Sequence, residues 1–458
     1  MAQSLPQSLA AILERNSNGP VPVLLPDQSL NLTDYVGGAG FGDDFARLEG
    51  RSVVLLIADQ LTAAGALVAL DGWAKRIVLW PPDVERSHLP AVVRDAEADA
   101  LVYDGEAPPG AANAECVARY SLALPSPRAE PRRRRATEWA MMTSGTTGDP
   151  KMVVHTLETL TDAIRADPHA SARQSWATFY DIRRFGGLQI FLRVVCGAGL
   201  LTLRGRDETI EGFLSRAREA KARHISGTPS NWRLACAEPA LRGLTLESVR
   251  LSGEAADAAV LRDLSALFPH SRITHAFAST EAGVAFEVDD RLPGFPALYL
   301  GERDGVALKL EDGCLKVRSP RTAHRYLGAQ RQDLRDHDGF VDTGDLIEVR
   351  GERCYFAGRR GGIINVGGAK VNPEEVEAVV NEQPGVRASL ARAYKNPFTG
   401  SAVIADVVLA EGVIGDQPMK DRILDACREK LAAFKIPARI NFVNSLPLTA
   451  AGKIARDR

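Results

Sequence analysis

Between Ser52 and Tyr103 the chain alternates two kinds of segment. Ser52-Val53-Val54-Leu55-Leu56-Ile57-Ala58 is an apolar β run, and helical residues follow from Leu61 to Lys75. Arg76-Ile77-Val78-Leu79-Trp80 reads as a second strand, which Pro81-Pro82 stops. A helix from about Pro90 to Ala98 and a strand at Ala100-Leu101-Val102-Tyr103 complete the pattern. Strands that alternate with helices imply a parallel sheet covered by helices on both faces.

The 458 residues leave room for two or three domains and a large core. A formal charge of −2 gives no electrostatic case for nucleic acid or an anionic membrane. The basic run Arg132-Arg133-Arg134-Arg135 follows a Pro-rich stretch and reads as a solvated linker. Six scattered cysteines form no CxxC pair, which argues for a reducing compartment and against a zinc site. Met1-Ala2-Gln3-Ser4 has no basic leader, and no apolar run approaches membrane-spanning length. A soluble, cytoplasmic protein is therefore expected.

Trp139-Ala140-Met141 reads as a short buried strand leading into Met142-Thr143-Ser144-Gly145-Thr146-Thr147-Gly148-Asp149-Pro150-Lys151. Such a loop exposes many backbone N–H groups and hydroxyls with little bulk, so it can wrap a polyanion. Lys151 adds a charge suited to phosphate. It is not a Walker A loop, because Pro150 precedes the lysine and Met152 follows it. Met152-Val153-Val154-His155-Thr156 then leads into a helical pattern from Leu157.

The order Ser-Gly-Thr-Thr-Gly-x-Pro-Lys resembles the signature loop of the adenylate-forming superfamily: acyl-CoA synthetases, luciferases and peptide-synthetase adenylation domains. That resemblance implies a large N-terminal domain of layered sheets and helices (αβαβα-like), residues 1–360, with a shortened first subdomain. A small mobile α+β lid, residues 361–458, would follow. It assigns ATP phosphates to Thr143, Ser144, Gly145, Thr146, Thr147, Gly148 and Lys151. Gly253-Glu254-Ala255 would lie along the adenine. Phe277-Ala278-Ser279-Thr280-Glu281 is similar to the family's Tyr-Gly-x-Thr-Glu motif, with Phe277 as an aromatic platform for adenine. Thr280 would donate to the α-phosphate and Glu281 would ligate Mg²⁺. Asp345, in a Thr-Gly-Asp turn, would accept from both ribose hydroxyls, and Arg359 would contact the nucleotide.

The turn Tyr180-Asp181-Ile182-Arg183-Arg184-Phe185-Gly186-Gly187 falls where the family borders its acyl pocket, as does Thr228 in Gly227-Thr228-Pro229. Ligand-binding strand edge and charged helix start are both open for this turn. Acyl-CoA synthetases often carry a Phe-His-x-x-Gly version, whose histidine is absent here. Amino-acid-activating domains often carry Phe-Asp-x-Ser, which Tyr180-Asp181 echoes and Arg183-Arg184 does not. Counting on from Gly358-Arg359 puts Gly361 at the hinge, where the family usually has Asp or Lys. Gly367-Gly368 would line a pantetheine tunnel, and Lys453 falls in a Pro-x-Thr-x-x-Gly-Lys closing motif.

The resemblance thus implies two half-reactions. A carboxylic acid and ATP give an acyl adenylate and pyrophosphate, with Lys453, Glu281 and Thr280 as catalytic residues. A thiol then takes the acyl group: CoA, or the phosphopantetheine of an acyl carrier protein. An amino-acid-activating carrier loader, a luciferase-like oxidative enzyme and a non-catalytic ATP sensor share many of these motifs. The acid, the acceptor and the oligomeric state stay open.

Overall fold

The computed structural model describes residues 8–15, 19–107, 115–123, 135–143, 150–164, 174–328, 333–366, 368–396, 400–447 and 454–455. A seven-stranded sheet contains the alternating segment. Ser52–Leu56, Arg76–Leu79, Ala100–Tyr103, Cys116–Arg119 and Glu138–Thr143 run parallel. Lys151–Thr156 then folds back antiparallel on Glu138–Thr143. A second sheet has eight strands. Its parallel centre is Leu200–Leu203, Ser175–Thr178, His224–Gly227, Ser248–Ser252 and Arg272–Ser279.

The helix Gln60–Leu70 shows how these sheets stack. All eleven of its residues are buried. A helix apolar on every side must be covered on every side, and its core includes Val53, Leu55 and Ile77 of one sheet with Leu201 and Leu203 of the other. The helix stops short of the predicted Lys75. Gly72 has φ +88°, and a Cβ there would lie 2.9 Å from Ser8 Cβ. Asp71, just before it, caps the helix C-terminus.

A third, six-stranded sheet is built around Val341–Arg350 and has its own core, including Phe295, Leu315, Val317 and Val341. Here one expectation is corrected. Thr343-Gly344-Asp345 is not a chain-reversing turn but lies inside the ten-residue strand Val341–Arg350. The register shifts at this point, and Gly344 takes φ +71°, so the segment is a kink in a continuous strand.

From Ile364 onward the chain closes a separate core of Ile364, Val371, Val376, Val380, Val403, Ile423 and Ile440. Over it lie the helices Pro373–Asn381 and Gln417–Lys430 and the three-stranded sheet Val386–Asn396, Gly400–Leu409, Arg439–Phe442. All six cysteines are free. Among the described residues, no helix is long and apolar enough to cross a membrane.

Candidate active site

The antiparallel pair Glu138–Thr143 and Lys151–Thr156 places Thr143 directly opposite Lys151. The ladder therefore brings both ends of the expected phosphate loop together. Ser144, Gly145, Thr146, Thr147 and Gly148 lie outside the described residues. Lys151 is exposed, and its Nζ stands 5.9 Å from the ring centroid of Tyr326.

Thr280 and Glu281 form the turn between strands Arg272–Ser279 and Gly283–Val288. Three bonds hold it. Ala282 N donates to Ser279 Oγ at 2.9 Å, and Ala323 N donates to Glu281 O at 3.0 Å. His155 Nε2 is 2.7 Å from Thr280 O. A carbonyl only accepts, so Nε2 carries the proton, while Nδ1 lies 2.9 Å from Thr159 Oγ1, whose hydroxyl donates to Thr156 O at 3.0 Å. Burial lowers the His155 pKa to about 4, so the ring is neutral at pH 7. Sequence reading passed over His155. Its one signal was a polar residue inside an apolar strand.

Beside this turn lies a cleft of about 290 Å³, lined by Ser279, Glu281, Tyr326, Asp342, Thr343, Gly344, Arg359 and Arg360. Burial, and after it the charge of Glu281, push the Tyr326 phenol up to about 12. Next to the cleft, Arg359 Nε donates to Asp345 Oδ1 at 3.0 Å. Asp345 is buried, and its N–H donates to Thr343 Oγ1 at 3.1 Å. Thr343 Oγ1 in turn donates to Leu315 O at 2.7 Å. Arg360 Nη1 pairs with Asp342 Oδ2 at 3.1 Å. The fold thus collects Ser279, Glu281 and Arg359 around one cleft, with Asp345 paired at its edge and Lys151 across Tyr326.

Phe277 is half-buried. Its ring is already stacked near-parallel on two protein rings, Phe286 at 5.5 Å and Phe356 at 5.3 Å. Ala278 packs against the main core. Gly253, with φ +89°, ends the strand Ser248–Ser252, and Ala255 is exposed. The Glu254 carboxylate is held by two main-chain donors. Oε2 accepts from Ser230 N and Oε1 from Ile454 N, each at 3.0 Å.

At the expected acyl-pocket border the structure redistributes the roles. Asp181 is held by Arg183 through Nε to Oδ1 at 2.8 Å and Nη2 to Oδ2 at 2.6 Å, both side chains buried. Arg183 Nη1 also donates to Ile57 O and Ala58 O, each at 2.7 Å. Asp181 is thereby a fixed, neutralised strut and not an open anchor for a substrate amine. Arg184 pairs with Asp83 and donates to Met142 O at 3.2 Å, which ties this turn to the base of the phosphate loop. Gly187 is a close-approach position, since a Cβ there would lie 2.1 Å from Asp181 O. Thr228 is fully buried, and its hydroxyl accepts from Asn231 N at 3.0 Å as the cap of helix Pro229–Cys236. Tyr180 is buried with its hydroxyl on Ser252 O at 2.7 Å, and burial raises its pKa.

Gly361 lies in the short turn Arg360–Gly362, with open space around its Cβ direction. Gly368 has φ +88° in the tight connection between Ile364–Val366 and Ala369–Val371, reason enough for a glycine there. Gly367 and Lys453 lie outside the described residues. Ile454, the residue after Lys453, is the one that reaches Glu254.

Residues 50–302 match the family model of the AMP-binding enzymes, and residues 375–453 match that of the AMP-binding enzyme C-terminal domain. A 2-succinylbenzoate–CoA ligase of Listeria monocytogenes serotype 4b is 30% identical over 336 residues, 69% of this chain and 68% of that one. Its counterpart in Listeria innocua is 29% identical over 340 residues, covering 70% and 69%. The solved anthranilate CoA ligase AuaEII in complex with anthranoyl-AMP superposes with a TM-score of 0.82 at 20% identity, over 98% of this chain and 96% of that one. The Bacillus subtilis o-succinylbenzoate CoA synthetase, bound to its acyl-adenylate intermediate, gives 0.77 at 17% identity, over 99% and 98%. With both family models matched in order along its length, the chain belongs to the AMP-binding, adenylate-forming enzymes.

Proposed function

We propose that this chain is an AMP-forming acid–thiol ligase that activates a carboxylic acid with ATP and passes the acyl group to CoA. The observation that carries the reading is the gathering of Glu281, Arg359 and the Asp345 pair at one cleft, with Lys151 at the mouth of the phosphate loop. In the first step a carboxylate oxygen bonds to the α-phosphorus of ATP, and pyrophosphate leaves with the electrons of the broken P–O bond. The product is an acyl adenylate. The protein's share is positioning and fixed charge. Lys151 and the Thr143 loop hold the outgoing phosphates, Asp345 and Arg359 seat the ribose end, and Lys453 meets the charge growing on the α-phosphate.

Glu281, a half-buried carboxylate beside the Tyr326 phenol, is a hard oxygen donor of the kind Mg²⁺ takes. Bound there, Mg²⁺ would neutralise triphosphate charge. In the second step the CoA sulfur gives up its proton and bonds to the acyl carbon, and AMP leaves. Rotation at Gly361 would withdraw Lys453 and bring Gly367-Gly368 to the site.

Similar proteins are named for aryl acids, 2-succinylbenzoate and anthranilate, and an aryl acid is the class proposed here. Amino-acid activation loses its best support, because Arg183 already neutralises Asp181. A cytoplasmic location suits the free cysteines.

The test is acid-dependent ATP–pyrophosphate exchange over aryl, fatty, dicarboxylic and amino acids, followed by CoA. Exchange with an aryl acid and AMP release on adding CoA is the expected result. Exchange without CoA turnover would move a carrier protein into the acceptor's place. Exchange with no acid would reject the reading.

A further inference from the structure

Glu254 joins three parts of the chain that are far apart in sequence. Gly253, at φ +89°, turns the backbone at the end of strand Ser248–Ser252 and presents the next side chain outward. Both carboxylate oxygens then meet main-chain donors. Oε2 accepts from Ser230 N, in the first turn of helix Pro229–Cys236, and Oε1 accepts from Ile454 N, 200 residues away. One residue further on, Ala455 N donates to Pro447 O at 2.8 Å. The C-terminal segment is therefore tied twice in succession, once to itself and once to the large domain.

The same face carries further contacts from the small domain. Arg387 Nη2 donates to Leu234 O at 3.3 Å, and Asn381 Nδ2 reaches Asp257 Oδ2 at 3.5 Å. Leu234 lies on the helix whose first turn Glu254 caps, and Asp257 is three residues beyond Glu254.

We infer that Glu254 is a positioning residue for the acid-activating step: it holds the Ile454 N–H, and so the chain next to Lys453, against the large domain, instead of binding the nucleotide. This rests on the acid-activating reading proposed above. A carboxylate suits the task, because two charge-assisted bonds to fixed N–H groups outlast a neutral pair. The Ser230 bond lies within the large domain and persists through any rotation at Gly361. The Ile454 bond must break when the small domain turns. Glu254 thus acts in one half-reaction and not in the other.

Two variants and their combination test this. Glu254→Gln leaves a single acceptor oxygen for two donors, and Ile454→Pro deletes the N–H. Each is expected to lower the kcat of pyrophosphate exchange about 10- to 100-fold, the scale of one lost charge-assisted bond. KM for ATP stays unchanged, and thioester formation from supplied acyl adenylate stays within about twofold. The double variant is no worse than either single one. A raised KM for ATP with kcat intact in Glu254→Gln would make Glu254 a nucleotide ligand and overturn the inference. So would multiplicative losses in the double variant, or equal losses in both half-reactions.

A readout free of any acid keeps this separate from the proposed activity. Hydrogen exchange of a C-terminal peptide containing Ile454 should quicken in Glu254→Gln while the peptide of strand Gly400–Leu409 does not change. Unchanged protection of Ile454 would reject the inference even if exchange with every acid failed.

Discussion

His155 Nε2 lies 2.7 Å from the carbonyl oxygen of Thr280, across 125 residues of sequence. Through that bond, the strand that leaves the phosphate loop fixes the turn that carries Glu281. Burial keeps the ring neutral at pH 7, with its one proton on Nε2 facing Thr280 O. His155→Phe fills the same space but cannot donate. Pyrophosphate exchange should fall about 10- to 100-fold with little change in the folded state's far-UV signature. Full activity would remove His155 from the positioning of Thr280.

Asp345 is buried and already oriented by Arg359 and Thr343. If its carboxylate seats the ribose, Asp345→Ala should raise KM for ATP by about tenfold or more, beyond any loss in kcat. Loss confined to kcat, with KM untouched, would contradict a ribose role.

Lys453→Ala separates the two half-reactions. Exchange should drop by about 10²–10³, as for other fixed charges facing a transition state. Thioester formation from supplied acyl adenylate should survive. Equal loss in both steps would sink the assignment.

Gly361 has open space where a Cβ would stand and no positive φ. Gly361→Asp should therefore fold with stability within about 0.5 kcal/mol of the parent in urea. If the chain pivots there, the stiffer residue changes the rate of the second half-reaction and spares the first. Identical rates in both steps would place the pivot elsewhere.

Asp71 supplies a pH test of the fold itself. It is fully buried and accepts from Leu9 N at 2.8 Å and Trp139 Nε1 at 3.0 Å. Burial, opposed by these two bonds, raises its pKa from 3.8 to about 7. The folded chain thus keeps a proton that the unfolded chain loses above pH 3.8. Its stabilising contribution is full below that value and is lost as pH rises through about 7, at most ~1.4 kcal/mol per unit. Urea midpoints measured between pH 4.5 and 7.5 should decline less steeply in Asp71→Asn. Parallel slopes for the two proteins would rule Asp71 out.

What could be read in advance was local. Thr143 and Lys151, Thr280 and Glu281, and Asp345 each sit in a run of consecutive residues with its own chemistry, and each strand around them shows in its apolar pattern. The strand Ala100–Tyr103 begins and ends where the pattern put it. What could not be read was partnership at a distance. Asp181 looked like an open carboxylate because nothing in Tyr180-Asp181-Ile182-Arg183 says that Arg183 folds back on it and reaches Ile57 O and Ala58 O. Nothing around Phe277 says that Phe286, on the paired strand, and Phe356, in another sheet, join its stack. Nothing near Glu254 announces its second donor, which lies 200 residues on.

The helix Gln60–Leu70 has no residue that faces water. Val53, Leu55 and Ile77 lie close to it in sequence, but Leu201 and Leu203, which complete its cover, come about 130 residues later. The part of its apolar surface that the second sheet covers stays open to other chains for as long as that sheet is unfinished. Substitutions that slow the pairing of Leu200–Leu203 will reduce the yield of soluble protein more than they reduce the stability of the finished fold.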